Sequence, residues 1–160
     1  MSNKPIKRNE NILPLSRDHH SGLLFCWKIR EGLNLDIPLQ RIRPYVAYYW
    51  NEHLQEHFRE EETLLFSAVN DPLCDDAIQQ HVVIRGQFQK ILENDEAKAI
   101  DYNLLQTLVN DHIRFEEREL FPFLETAMTE AQLAEAGAEL HSQHHIPFKD
   151  EYADEFWIRR

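Results

Sequence analysis

Apolar residues recur at three- and four-residue steps through most of this chain. Strict alternation of apolar and polar residues is absent, so the pattern predicts helices and no sheet. The clearest inward stripe is Tyr49, Trp50, His53, Leu54, His57, Glu61, Leu64, Leu65 and Ala68, on a long helix over about 39–69. Pro44 marks a kink or a restart within it. Upstream, residues 1–14 read as a polar, extended lead-in. A first helix runs from a Ser16 cap to about Glu31, with Gly32 as its stop. Its apolar positions include Leu15, Leu23, Cys26, Trp27 and Ile29. Beyond the turn at Asn70-Asp71-Pro72, Asp75 or Asp76 caps a third helix over about 76–93, with Ile78, His81, Ile84, Phe88 and Leu92 on one face. The fourth runs over about 98–127, with Leu104, Leu105, Leu108, His112, Phe115, Glu116 and Leu120 inward, and Pro122 kinks its last turns. Thr129 and Gln132 have capping-box spacing and open a shorter fifth helix to about Ser142. The tail, Phe148 to Arg160, carries Tyr152, Phe156 and Trp157, which either cover the bundle or form a dimer interface. Four long helices with short connections predict an all-α, antiparallel up-down-up-down four-helix bundle. Residues 1–160 read as one domain, with a core over about 15–127 and a C-terminal helix and tail over 128–160.

Polar residues interrupt the inward stripes in a repeated order. His57-Phe58-Arg59-Glu60-Glu61-Glu62, followed by Leu65-Phe66, returns as His112-Ile113-Arg114-Phe115-Glu116-Glu117, followed by Leu120-Phe121. In each copy a Glu follows a His by four residues, which puts both on one helix face, about 5–6 Å apart at Cβ. A neutral imidazole and a carboxylate so placed can bind one metal ion or two adjacent ones. A further His precedes each copy, His19 the first and His81 the second. One His on an apolar face is ordinarily a satisfied core residue, but four in register with two inward Glu are a different matter. A buried Glu is costly unless it is paired or metal-bound, and a pair of cations relieves the cost at both Glu61 and Glu116.

Periodicity does not separate His19 from His20: the first is in phase with Leu15, Leu23 and Cys26, the second with Leu24 and Trp27. Glu60 and Glu62 fall outside the i, i+4 relation and go to solvent or to a place behind the ligands. His53 either supports a ligand from behind or makes an ordinary polar contact at the mouth. His141, His144 and His145 read as a solvated cluster near a helix end, with a separate metal site as the alternative.

Charge and composition narrow the function. A formal net charge of −11 and a pI of about 5.2 exclude nucleic acid and anionic lipid as partners. Cys26 and Cys74 stand far apart in no CxxC arrangement, so neither a disulfide framework nor a zinc ribbon is expected. No apolar run follows Lys4, Lys7 and Arg8, and no stretch is long enough to cross a membrane. The cytoplasm is the expected compartment.

The pattern resembles the hemerythrin-like family, specifically its HHE cation-binding domains of the bacterial single-domain type. The resemblance rests on Leu15-Ser16-Arg17-Asp18-His19, on His57 to Glu61 with Leu65-Phe66, on Gln80-His81, and on His112 to Glu117 with Leu120-Phe121-Pro122. It selects His19 over His20. It implies a four-helix bundle around a non-haem centre of two iron ions, with Glu61 and Glu116 bridging and His19, His57, His81 and His112 as terminal ligands. His20, His53 and Arg85 are the candidates for contacts behind the ligands. Oxygen-carrying members have His-x3-His on the third helix, whereas here Arg85 follows His81 by four residues. A guanidinium has no lone pair for a metal, so Arg85 must find a bridging Glu, an anion on the metal, or solvent. That departure points away from reversible oxygen transport. It points towards members that sense or handle iron, dioxygen or nitric oxide, with dioxygen, nitric oxide or an anion as the small ligand. The rival functions are a di-iron oxidase or peroxidase and a helper in repair of damaged iron centres. A structural zinc is the plain alternative, but zinc prefers a closed tetrahedral site.

Overall fold

The computed structural model describes residues 7–143 and 147–159, and those residues form five helical rods and no strand. Helix α1 is Leu13–Asn34. The second rod, α2 (residues 39–68), joins α-helical turns at Leu39–Tyr49 and Gln55–Glu60 to wider π turns at Trp50–Leu54 and Glu61–Leu65. Helix α3 is Pro72–Leu92. The fourth rod, α4 (residues 99–127), runs from Ala99–Phe115 through a π turn at Glu116–Leu120 to Phe121–Ala127. Helix α5 is Glu130–Gln143.

Several ends differ from the expectation, each for a local reason. Helix α1 begins at Leu13 with Pro14 in its first turn, where a missing N–H costs nothing. Ser16 therefore lies inside the helix, and its hydroxyl donates to Glu117 Oε1 at 2.7 Å. The helix runs past Gly32, which is needed for closeness, not for stopping: a Cβ there would meet the Phe156 ring at 2.8 Å. Asp71, not Asp75 or Asp76, caps α3, accepting from the Leu73 N–H at 2.9 Å, with Pro72 leading the first turn. Thr129 and Gln132 do form the reciprocal capping box, at 2.9 and 3.1 Å.

The core has two parts, and they give the rods their directions. One contains Phe25, Ile29, Ile42, Tyr45, Tyr49, Phe58, Ile84, Phe88, Tyr102 and Ile113; the other contains Ile12, Leu15, Leu65, Cys74, Ala77, Leu120, Phe121 and Leu124. Helices α1 and α3 run from the second part to the first, and α2 and α4 from the first to the second. That alternation is an antiparallel up-down-up-down bundle. Helix α5 covers the second part through Leu133, Ala136 and Leu140, and the tail closes the first through Phe156 and Trp157. Within the tail, Asp150 accepts from the buried Lys28 at 3.0 Å, whose ammonium stands 3.9 Å from the Trp157 ring centre. Leu104, expected inward, is exposed, and so are the periodic apolar residues Leu23, Trp27 and Ile78. They flank the buried stripes, and periodicity alone overstates a stripe's width.

On each of α1 to α4, the polar residues of interest fall between the two apolar parts: His19 between Leu15 and Phe25, Glu61 between Phe58 and Leu65, His81 between Ala77 and Ile84, and Glu116 between Ile113 and Leu120. The bundle therefore seals a polar middle layer at both ends.

Candidate metal centre

Six side chains meet in that layer: His19, His57, Glu61, His81, His112 and Glu116, all buried. The His-x3-Glu pairs close as helical neighbours, with Nε2 to Oε1 at 3.2 Å for His57 and Glu61 and 2.9 Å for His112 and Glu116. Each Glu also reaches a His from another helix. Glu61 Oε1 lies 3.3 Å from His81 Nε2, and Glu116 Oε1 lies 3.2 Å from His19 Nε2. Two overlapping groups result: His19, His57, Glu61 and Glu116, and Glu61, His81, His112 and Glu116. Within each group the ligand atoms lie within 4.8 Å of one another, and both carboxylates belong to both groups. A π turn begins at each of these Glu residues, the kind of local helix widening that recurs at functional sites.

The outward nitrogens of the four rings are held from behind. His57 Nδ1 donates to Asp18 Oδ2 at 2.9 Å, and His19 Nδ1 donates to Glu117 Oε1 at 2.6 Å. His112 Nδ1 donates to the Gln80 amide oxygen at 2.6 Å. His81 Nδ1 lies 3.3 Å from Glu62 Oε2, a looser contact. Holding Nδ1 as the donor leaves each Nε2 lone pair directed inward, the arrangement of metal-bound histidines. These partners follow the repeat. Asp18 and Gln80 each precede an inward His, and Glu62 and Glu117 each follow an inward Glu. Matching the two copies position by position would have found Asp18, Gln80 and Glu117.

A further layer holds the supporting carboxylates. Arg8, buried, donates to Glu117 Oε2 at 2.9 Å and to Glu125 Oε1 at 2.5 Å. Arg85 donates to Glu62 Oε2 at 2.6 Å. Arg85 does not reach a bridging Glu; partly open to solvent, it stands behind His81 through Glu62. Glu62 is thus a supporting group, and His81 and Arg85 together bring its pKa down to about 2. Glu60, expected in solvent or behind the ligands, is buried and belongs to neither group. His20 is exposed, while His53 is buried and stacks on the Phe148 ring with centres 4.3 Å apart. A third metal-capable group, Asp18, His53 and His57, uses a His57 nitrogen already given to Asp18. His141 is exposed, and His144 and His145 lie outside the described residues.

The layer is built to hold positive charge. Burial disfavours protonation of His19, yet Glu116 and Glu117 outweigh it and push its pKa up to about 9. Burial is likewise overcome at His57 by Glu61 and Asp18, which raise it well above the usual value. Burial would raise Glu116, but His112 and its other neighbours hold its carboxyl well below the usual range. Even so, Glu61 Oε2 and Glu116 Oε2 are buried with no hydrogen-bond partner among the described residues, and Glu61 Oε1 has only its ion-pair contacts with His57 and His81. Buried carboxylate oxygens left so are expensive, and metal ions are the partners that this donor set fits.

Residues 15–124 match the family described as the hemerythrin HHE cation binding domain. The chain belongs to that family. No curated protein and no solved structure matches the chain. The matched span runs from Leu15 to Leu124 and takes in all six inward ligand candidates of this hemerythrin domain and the four groups behind them. Among the described residues no helix is long and apolar enough to cross a membrane.

Proposed function

We propose that the protein holds two iron ions between its four long helices and uses them to sense or handle dioxygen, nitric oxide or iron itself. His19 and His57 hold one ion, His81 and His112 the other, and Glu61 and Glu116 bridge them. The observation that carries this reading is the pair of metal-capable groups sharing both carboxylates, whose remaining oxygens are buried and unpartnered. Mixed nitrogen and oxygen ligands suit iron, and a shared carboxylate pair suits two ions better than one closed tetrahedral zinc. The iron pair, once bound, supplies a redox-active centre with room for a small ligand. The chain's own part is to orient the four imidazoles, keep water out with the two apolar parts of the core, and hold the supporting carboxylates charged.

Metal analysis of protein loaded anaerobically with ferrous iron tests the proposal. Two irons per chain, antiferromagnetically coupled after oxidation, are the expected result. One metal per chain, or a preference for zinc when both are offered, would overturn it. Ligand binding without turnover distinguishes this module from an oxidase or peroxidase, which would consume peroxide or dioxygen steadily with an electron donor.

A further inference from the structure

Beside His19 and His57 the middle layer contains a small cavity of about 10 Å³, lined by Gly22, Tyr49, His53 and Leu54 and by these two rings. That is room for about one water-sized group. The Tyr49 ring is fully buried, stacked on Phe25 with centres 4.4 Å apart, and its hydroxyl makes no hydrogen bond among the described residues. The hydroxyl of Ser21 stands nearby and donates to the Asp18 carbonyl at 2.8 Å, and its contact with the phenol falls short of hydrogen-bond geometry. Gly22 keeps the space open: a Cβ there would come within 3.3 Å of the Tyr49 hydroxyl and 2.6 Å of Ile113 Cδ1. A buried phenol with an idle proton, facing a cavity whose wall includes two metal-ligand candidates, is a donor set for something that enters. Burial also keeps the phenol protonated, so its hydroxyl has a proton to donate.

We propose that Tyr49 is the ligand-orienting residue of this chain: its hydroxyl donates a hydrogen bond to a mono- or diatomic ligand standing in the cavity beside His19 and His57. The class of ligand follows from the space and the donor. It is small, it accepts a hydrogen bond, and apart from the carboxylates of Asp18 and Glu116 the walls around it are aromatic rings and apolar side chains. Nitric oxide and dioxygen meet those conditions, and a longer anion fits less well. The inference rests on the proposed iron pair, since the cavity wall supplies no other anchor for so small a ligand.

The probe is nitric oxide added anaerobically to the ferrous protein, compared across wild type, Tyr49→Phe and Gly22→Ala. Iron content is measured first. Wild-type protein without an iron pair would overturn the proposed function, and this inference with it. With two irons in every variant, Tyr49→Phe is expected to release nitric oxide about three- to tenfold faster, the effect of one lost hydrogen bond. Its N–O stretch is expected to move and to lose the sensitivity to D2O seen in wild type. Gly22→Ala fills the cavity without touching a ligand and should weaken binding further. Equal release rates and identical stretches in wild type and Tyr49→Phe, with iron retained, would overturn the role of Tyr49 alone. Thermal melts of the metal-free proteins give an independent reading. An unengaged hydroxyl costs nothing to remove, so Tyr49→Phe should melt no lower than wild type, and a clear drop would show the hydroxyl already partnered and refute the proposal.

Discussion

The two halves of the proposed metal centre are not equivalent, and Asp18 is where the difference can be measured. His57 donates to a carboxylate, Asp18, at 2.9 Å, whereas its counterpart His112 donates to the neutral amide of Gln80 at 2.6 Å. His19 similarly has Glu117 at 2.6 Å, while His81 has Glu62 only at 3.3 Å. A carboxylate behind an imidazole makes it the stronger donor to a metal. Asp18 is buried, so solvent does little to weaken its effect. Asp18→Asn keeps an acceptor oxygen and removes only the charge. Hydrogen bonds to charged groups contribute about 1.5–3 kcal/mol and neutral ones about 0.5–1.5. The difference, about 1–1.5 kcal/mol, corresponds to about a five- to tenfold weaker hold on the ion at His19 and His57. Asp18→Ala removes the bond altogether and should weaken that ion by the 10–100-fold typical of groups behind a ligand. Titration of metal-free protein with ferrous iron against a competing chelator reads both ions. Wild type should fill in two steps, the His19 and His57 position first. Asp18→Asn should bring the steps together, and Gln80→Glu should do so from the other side by strengthening the second. Unchanged affinity in Asp18→Asn, or equal weakening of both ions, would refute the reasoning.

Glu61→Ala and Glu116→Ala should each leave fewer than two metals per chain by elemental analysis, and two metals retained in either would refute its place among the ligands. His19→Ala should lose metal and His20→Ala, an exposed position, should lose little; the reverse outcome would exchange their roles. In the metal-free protein His19 has a pKa raised from 6.5 to about 9. Its contribution to stability is therefore complete below pH 6.5 and disappears as the pH rises through about 9. Metal-free protein should melt at progressively lower temperature across that interval, and metal-loaded protein, which has no His19 proton to lose, should show no such trend. The Cys26 thiol, pushed up to about 12 mainly by burial, should resist alkylation at pH 8 in the native protein and react once it is unfolded, as mass spectrometry of each form would show.

What the chain alone determined are the features that depend on near neighbours. Helix periodicity predicts the rods and their order. The i, i+4 relation of His57 to Glu61 and of His112 to Glu116 is a property of one helical turn, so a ligand pair could be read without any fold. The Thr129 and Gln132 capping box is similarly local. The tertiary structure decided the rest, because the contacts join residues far apart in sequence. Asp18 meets His57 across 39 residues, and Glu117 meets His19 across 98. Ser16 looks like a cap until Glu117 arrives beside it, and Arg85 has several acceptors open to it until Glu62 takes its donor. His19 and His20 have the same periodic merit, and a rotation of one residue about α1 separates them; packing against Phe121 and Glu116 turns His19 inward, the choice that periodicity left open. Tyr49 was legible as a core position, but that its hydroxyl lacks a partner depends on what four helices bring around it.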